Sequence, residues 1–153
     1  MSPYGKVPVV VIDGKAIFES AIINEYLDEV YPEPKLMPAE PFARAQARIW
    51  TDYVATRLVP PLYRVLKSSQ PDKIERSWPE LHQELAYLNH ALDAAGGPWL
   101  LGSHFSMADI NLLPFVHQFP QLEQDVLSQY PAIADFYSAF QQRPSYQSTL
   151  QDL

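Results

Sequence analysis

The run Val9-Val10-Val11-Ile12-Asp13-Gly14-Lys15-Ala16-Ile17-Phe18 constrains this chain most. Four β-branched apolar residues in a row, without alternation, read as a strand covered on both faces. Asp-Gly tolerates positive φ at both central positions of a type I′ turn, so it predicts a two-residue hairpin. Ala16–Phe18 then returns as the second strand. Glu19-Ser20 opens a helix in which Ile22, Ile23, Tyr26, Leu27 and Val30 recur at helical spacing, with Asn24, Glu25, Asp28 and Glu29 facing away. Pro8 opens the first strand and cannot donate to its ladder. If the Val7-Pro8 peptide is cis, Val7 presents its own N–H and C=O outward, where an extended peptide can pair with them. The helix N-terminus at Glu19-Ser20 offers free N–H groups and the positive dipole end to a carboxylate. The two features suit a small acidic peptide. The same spacing also suits an ordinary hairpin with a proline stop.

Between Tyr31 and Pro41 stand Pro32, Pro34 and Pro38, a density that fits neither helix nor central strand and reads as a linker. Beyond it the pattern is helical only. A helix from Pro41 is expected to turn Phe42, Ala45, Ile49 and Tyr53 inward, with Thr56 at its end, until Pro60-Pro61 kinks or breaks it. Ser68-Ser69-Gln70-Pro71 reads as a loop. Ser77 with Glu80 predicts a capped helix start, with a further turn ahead of it from Asp72. The stripe Leu81, Leu85, Leu88 and Leu92 follows, and Gly96-Gly97-Pro98 ends it. Ser106 with Asp109 predicts a capping box for a helix that is apolar on most sides, the centre of the helical part. Its role is structural. Gln121–Gln129 reads as a weak helix. A last helix from Tyr130-Pro131 turns Ile133, Phe136, Tyr137 and Phe140 inward and ends at Arg143-Pro144-Ser145-Tyr146.

The segment SPYGKVPVVVIDGKAIFESAIINEYLDEVYP resembles the second half of the thioredoxin-like domain of glutathione transferases, especially the omega-like bacterial group. The Leu-Gly before the Ser106–Asp109 box and the Arg143-Pro144-Ser145 run resemble the same family. The implied fold is mainly α with a small β-hairpin. A partial thioredoxin-like, glutathione-binding segment (residues 1–37) precedes an all-α glutathione transferase C-terminal domain (residues 41–153). By resemblance the Val7-Pro8 peptide is cis and Val7 pairs with the cysteinyl part of glutathione. Glu19 and Ser20 hold its γ-glutamyl end. Trp50, Tyr53 and Arg57 lie on the first long helix and could line an electrophile site between the two parts, although Trp50 and Tyr53 also suit packing at that spacing.

Family members begin with a strand-helix-strand ahead of the segment that matches Ser2 onward, and that portion carries the catalytic Cys, Ser or Tyr. Met1 stands directly before the match, so the expectation is a truncated member with no catalytic residue of its own. Ser2 and Tyr4 match by residue type only. The expected function is glutathione binding, with conjugation or reduction of small electrophiles if the N-terminal half is supplied, and weak or no activity otherwise. The other reading is a non-enzymatic interaction module, similar to the stringent starvation proteins.

Composition narrows the partners. A net charge of −7 argues against a nucleic-acid backbone, which favours a basic face. His82, His90, His104 and His117 form no zinc-ligand spacing, and no Cys is present, so no metal is expected. The absence of Cys fits the cytoplasm, and no apolar run is long enough to span a membrane. A homodimer is expected, with the open edge of the Val9–Ile12 strand as its seam. The family's dimer through the helices after Ser20 and Pro41 is the competing arrangement.

Overall fold

The computed structural model describes residues 5–149; Ser2 and Tyr4 lie outside them. Strands β1 (Val9–Ile12) and β2 (Lys15–Phe18) form an antiparallel hairpin with Val9 opposite Phe18 and Ile12 opposite Lys15. Asp13 at φ 49° and Gly14 at φ 75° make the turn, as a type I′ geometry requires. No side chain of β1 is fully buried, and Val11 is 62% exposed. The expectation of a strand covered on both faces is therefore corrected. Among the described residues β1 has a single strand neighbour, so its apolar run exceeds what the hairpin can bury.

Helix α1 (Ser20–Val30) follows the hairpin directly. Its buried Asp28 accepts hydrogen bonds from the backbone N–H groups of Leu36 (2.5 Å) and Met37 (3.2 Å). The proline-rich linker is thus tied back onto α1. Leu36 in turn accepts from the Met107 N–H at 3.0 Å, joining the linker to the central helix.

Helix α2 (Pro41–Tyr53) is capped by Glu40, whose carboxylate accepts from Phe42 and Ala43 N–H. Its buried face is Ala47, Trp50 and Tyr53, while Phe42 (70%) and Ile49 (56%) point to solvent and Ala45 is exposed. Tyr53 is inward as expected, while the rest of the expected face is displaced by about a third of a turn, at about 100° per residue. Both sets satisfy helical spacing, and the larger aromatic area of Trp50 decides between them. Thr56 is exposed and donates back to the Asp52 carbonyl at 2.8 Å.

The break expected at Pro60-Pro61 takes the form of a π-helical turn, Val54–Leu58, just ahead of the two prolines. They occupy the first turn of α3 (Val59–Lys67), where the missing N–H groups would want a partner least. Widening the preceding turn relieves the clash that a proline ring makes with the carbonyl four residues back.

Helix α4 runs without interruption from Pro71 to Ala94 and includes Pro79. Ser77 is therefore not a cap. Its hydroxyl donates to the Lys73 carbonyl (2.8 Å) and accepts from Arg64 Nε (3.0 Å). The sequence Ser-x-Pro-Glu resembles a helix start, but Pro71 is the first-turn proline that opens this helix. Leu81, Leu85, Leu88 and Leu92 are all buried, as the stripe predicts.

Helix α5 (Met107–Val116) lies at the centre of the helical part, with Ala108, Leu112 and Val116 fully enclosed. The reading of Gln121–Gln129 shrinks to α6 (Val126–Gln129), capped by Asp125, after a 3-10 turn at Phe119–Gln121. Helix α7 (Pro131–Gln141) buries Ile133, Phe136, Tyr137 and Phe140, and Pro144 opens a short α8 (Pro144–Thr149). The main apolar core begins at Met37 and draws on the helices from α2 onward and the connectors between them. Among the described residues the molecule is mainly helical with one small antiparallel sheet.

Candidate functional site

The Val7-Pro8 peptide is cis and Val7 is 91% exposed. Because Val9 pairs with Phe18, the hairpin brings Val7-Pro8 and Glu19-Ser20 to the same end. Glu19 sits at φ 69° and ψ 114°, in the left-handed half of backbone space that a non-glycine residue seldom adopts. Such a residue is held there by its surroundings, and strain of this kind clusters at ligand sites. Its carbonyl accepts the first helical bond, from Ile23 N–H at 2.9 Å.

Like the proline-led starts of α3, α4 and α7, the start of α1 has no side-chain cap, in contrast to the starts of α2, α5 and α6. Those are capped by Glu40, by the Ser106–Asp109 box and by Asp125. Helix α1 has no side-chain cap and no acidic residue in its first turn. Glu19 and Ser20 are both exposed. The resulting surface combines an exposed backbone edge at Val7, a hydroxyl at Ser20, a carboxylate at Glu19 and an uncapped helix N-terminus. Its chemistry suits an extended peptide that ends in a carboxylate.

The residues read as an electrophile site lie elsewhere. Trp50 and Tyr53 are 9% and 7% exposed and pack with Tyr87 in an aromatic cluster with ring centroids 5.2–5.8 Å apart. The Tyr53 hydroxyl donates to the Glu84 carbonyl at 2.8 Å. Burial pushes its phenol pKa far up, and the neighbouring Glu84 charge adds to the effect. Arg57 pairs with the buried carboxylate of Glu84 at 2.9 Å. Trp50 and Tyr53 are thus held mainly in packing, while the Arg57 side chain stays 58% exposed beside its pair with Glu84. An apolar groove of about 550 Å³ lies along α5, between Asn24, Phe105, Ile110, His117, Phe140 and Tyr146.

Ser106 and Asp109 form the capping box at the start of α5. Asp109, fully buried, accepts from Ser106 N–H (2.8 Å), Ser106 Oγ (2.9 Å) and Leu100 N–H (2.8 Å). Burial raises its pKa above the ordinary carboxylate value, and the three donors counteract only part of that. Among the described residues no group of His, Cys, Asp or Glu could hold a metal ion, and no helix is long and apolar enough to cross a membrane.

A cis-proline hairpin feeding a helix, followed by a bundle centred on a boxed buried helix, is the plan of a thioredoxin-like segment joined to a transferase-type helical domain. Family comparison agrees. Residues 61–150 match the glutathione S-transferase C-terminal domain and residues 1–29 the N-terminal domain. The chain belongs to the glutathione S-transferase family. It is 33% identical over 136 residues to the maleylacetoacetate isomerase of Mus musculus, covering 88% of this chain and 62% of that protein. The chain thus spans about three fifths of that relative's length. Among solved structures, a glutathione transferase from Methylococcus capsulatus superposes with a TM-score of 0.86 at 30% identity, over 96% of this chain and 73% of that one. A glutathione S-transferase from Methylobacillus flagellatus with glutathione bound superposes with a TM-score of 0.77 at 28% identity, over 96% of this chain and 76% of that one.

Proposed function

We propose that this chain binds glutathione at the hairpin end of α1 and serves as the peptide-holding part of a transferase or isomerase site. The observation that carries the reading is the uncapped N-terminus of α1, preceded by Glu19 at positive φ. The γ-glutamyl end of glutathione carries a carboxylate and an ammonium. The first-turn N–H groups and the Ser20 hydroxyl take the carboxylate, and Glu19 offers an anion beside them. Val7 pairs its backbone with the cysteinyl residue, as strand addition does at any open edge. A structural relative with glutathione bound supports glutathione as the ligand.

Chemistry needs the glutathione sulfur as a thiolate. A thiol held without a nearby donor or cation stays near its free pKa of about 8.5 and is mostly protonated at neutral pH. This chain contains no Cys. We propose that conjugation or reduction of electrophiles by the chain alone is weak, and that it depends on a donor or cation brought to the bound sulfur. We further propose a homodimer. The exposed apolar side chains Ile22, Phe42 and Ile49 on α1 and α2 favour the helix face over the β1 edge as its seam.

Titration of the isotope-labelled chain with glutathione tests the binding site. Amide shifts should centre on Val7 and on Ser20–Ile22. Shifts confined to other elements, or none at saturating ligand, would refute the assignment.

A further inference from the structure

Helix α1 carries the proposed ligand-holding turn, yet little apolar contact fixes it to the rest of the molecule. The main core contains no residue before Met37, and Ile23, though buried, lies outside it. The ties are polar. Glu25 pairs with Arg48 in the exposed surface, an arrangement that contributes little. Asp28 holds the linker. The remaining tie runs inward. Asn24 Nδ2 donates to Asn111 Oδ1 at 2.8 Å, Asn111 Nδ2 donates to Thr51 Oγ1 at 2.9 Å, and Thr51 Oγ1 donates to the Ala47 carbonyl at 2.9 Å.

The order of these bonds is dictated chemically. The Ala47 carbonyl can only accept, so the Thr51 hydroxyl must spend its single proton there. Thr51 then has only lone pairs left and must receive the Asn111 amide nitrogen. That orientation turns the Asn111 oxygen toward α1, which fixes Asn24 with its nitrogen inward. A backbone carbonyl on α2 thereby sets the orientation of a side chain on α1. Asn111 is 9% exposed, so a mispaired amide there is not readily rescued by solvent. Asn24 stands four residues after Ser20, on the same face of α1 as the turn that would hold the ligand.

We infer that Asn24, Asn111 and Thr51 form a one-way hydrogen-bond relay that positions the first turn of α1 for glutathione. They are positioning residues, and the ligand half of the statement rests on the glutathione reading above.

Thr51 tests the relay without touching α1. In Thr51→Val the shape is kept and the hydroxyl is lost, so the Asn111 amide is free to flip and present nitrogen to nitrogen. Hydrogen exchange on the full chain should then show the amides of Ile23–Val30 exchanging about tenfold faster, as expected for one mispaired buried hydrogen bond. Those of Leu81–Leu92 should be unchanged. Glutathione affinity should fall by about the same factor, and Thr51→Ser should restore both. Exchange in α1 identical to wild type, or a rise shared equally by α4, would overturn the relay. If wild type fails to bind glutathione, the ligand assignment falls while the exchange comparison still decides the relay.

Discussion

Replacing Asp109 by Ala removes the acceptor for three donors at once, two of them buried backbone N–H groups at Leu100 and Ser106. Leaving a buried donor unpaired costs about 1–3 kcal/mol each. Against this, the variant no longer desolvates a carboxylate, a penalty visible in the raised pKa of Asp109. The net expectation is a loss of about 2–4 kcal/mol, above the roughly 1 kcal/mol typical of a solvent-exposed cap. For a domain of this size that corresponds to a fall in Tm of about 5–12 °C. Urea unfolding followed by far-ultraviolet circular dichroism at neutral pH measures it, with Ser106→Ala expected to cost less because the Ser106 N–H keeps its acceptor. The same site carries a pH signature. The folded protein holds the Asp109 proton more tightly than the unfolded chain, whose carboxyl titrates near 3.8. Its protonation therefore stabilises the fold fully below that value, and the contribution is lost as pH rises through the raised folded pKa. Relative to Asp109→Asn, wild type should gain stability toward acid. An Asp109→Ala variant that melts within a degree or so of wild type, or an Asn difference independent of pH, would refute the argument.

Tyr53→Phe should lower stability by about 1 kcal/mol, because only the hydroxyl bond to the Glu84 carbonyl is lost while the aromatic cluster stays; thermal unfolding reads it, and no loss would remove the hydroxyl from the account. Ile49→Asp should convert the proposed dimer to monomer in sedimentation, whereas Val10→Lys should leave it intact. The opposite pattern would place the seam at the β1 edge.

The cis Val7-Pro8 peptide was implied only by the family resemblance, whereas the hairpin, the leucine stripe of α4 and the box at α5 were all legible, because each depends on local chemistry that a few residues specify. Three features were not. The inward face of α2 was ambiguous, since Phe42-Ala45-Ile49 and Ala47-Trp50 both recur at helical spacing and only the packing partner Tyr87, far along the chain, separates them. Ser77 imitated a cap because proline in a helix interior is uncommon, and only Arg64, across the α3–α4 contact, reveals the other use of its hydroxyl. The relay escaped notice because Asn24 read as a solvent-facing residue and its partner stands 87 positions away. Trp50, Tyr53 and Arg57 were marked from the family resemblance and their place on the first long helix, and their partners Tyr87 and Glu84 on α4 were not visible from that stretch alone.

Calorimetry on this chain with glutathione and with cysteinylglycine, which lacks the γ-glutamyl end, tests the central claim most directly. The account predicts saturable binding of glutathione by wild type and clearly weaker binding of cysteinylglycine. Ser20→Ala should weaken glutathione by about tenfold, a charge-assisted hydrogen bond's worth, while leaving cysteinylglycine unchanged. No binding of glutathione, or an equal loss for both ligands in Ser20→Ala, would contradict the placement of the γ-glutamyl carboxylate at the start of α1.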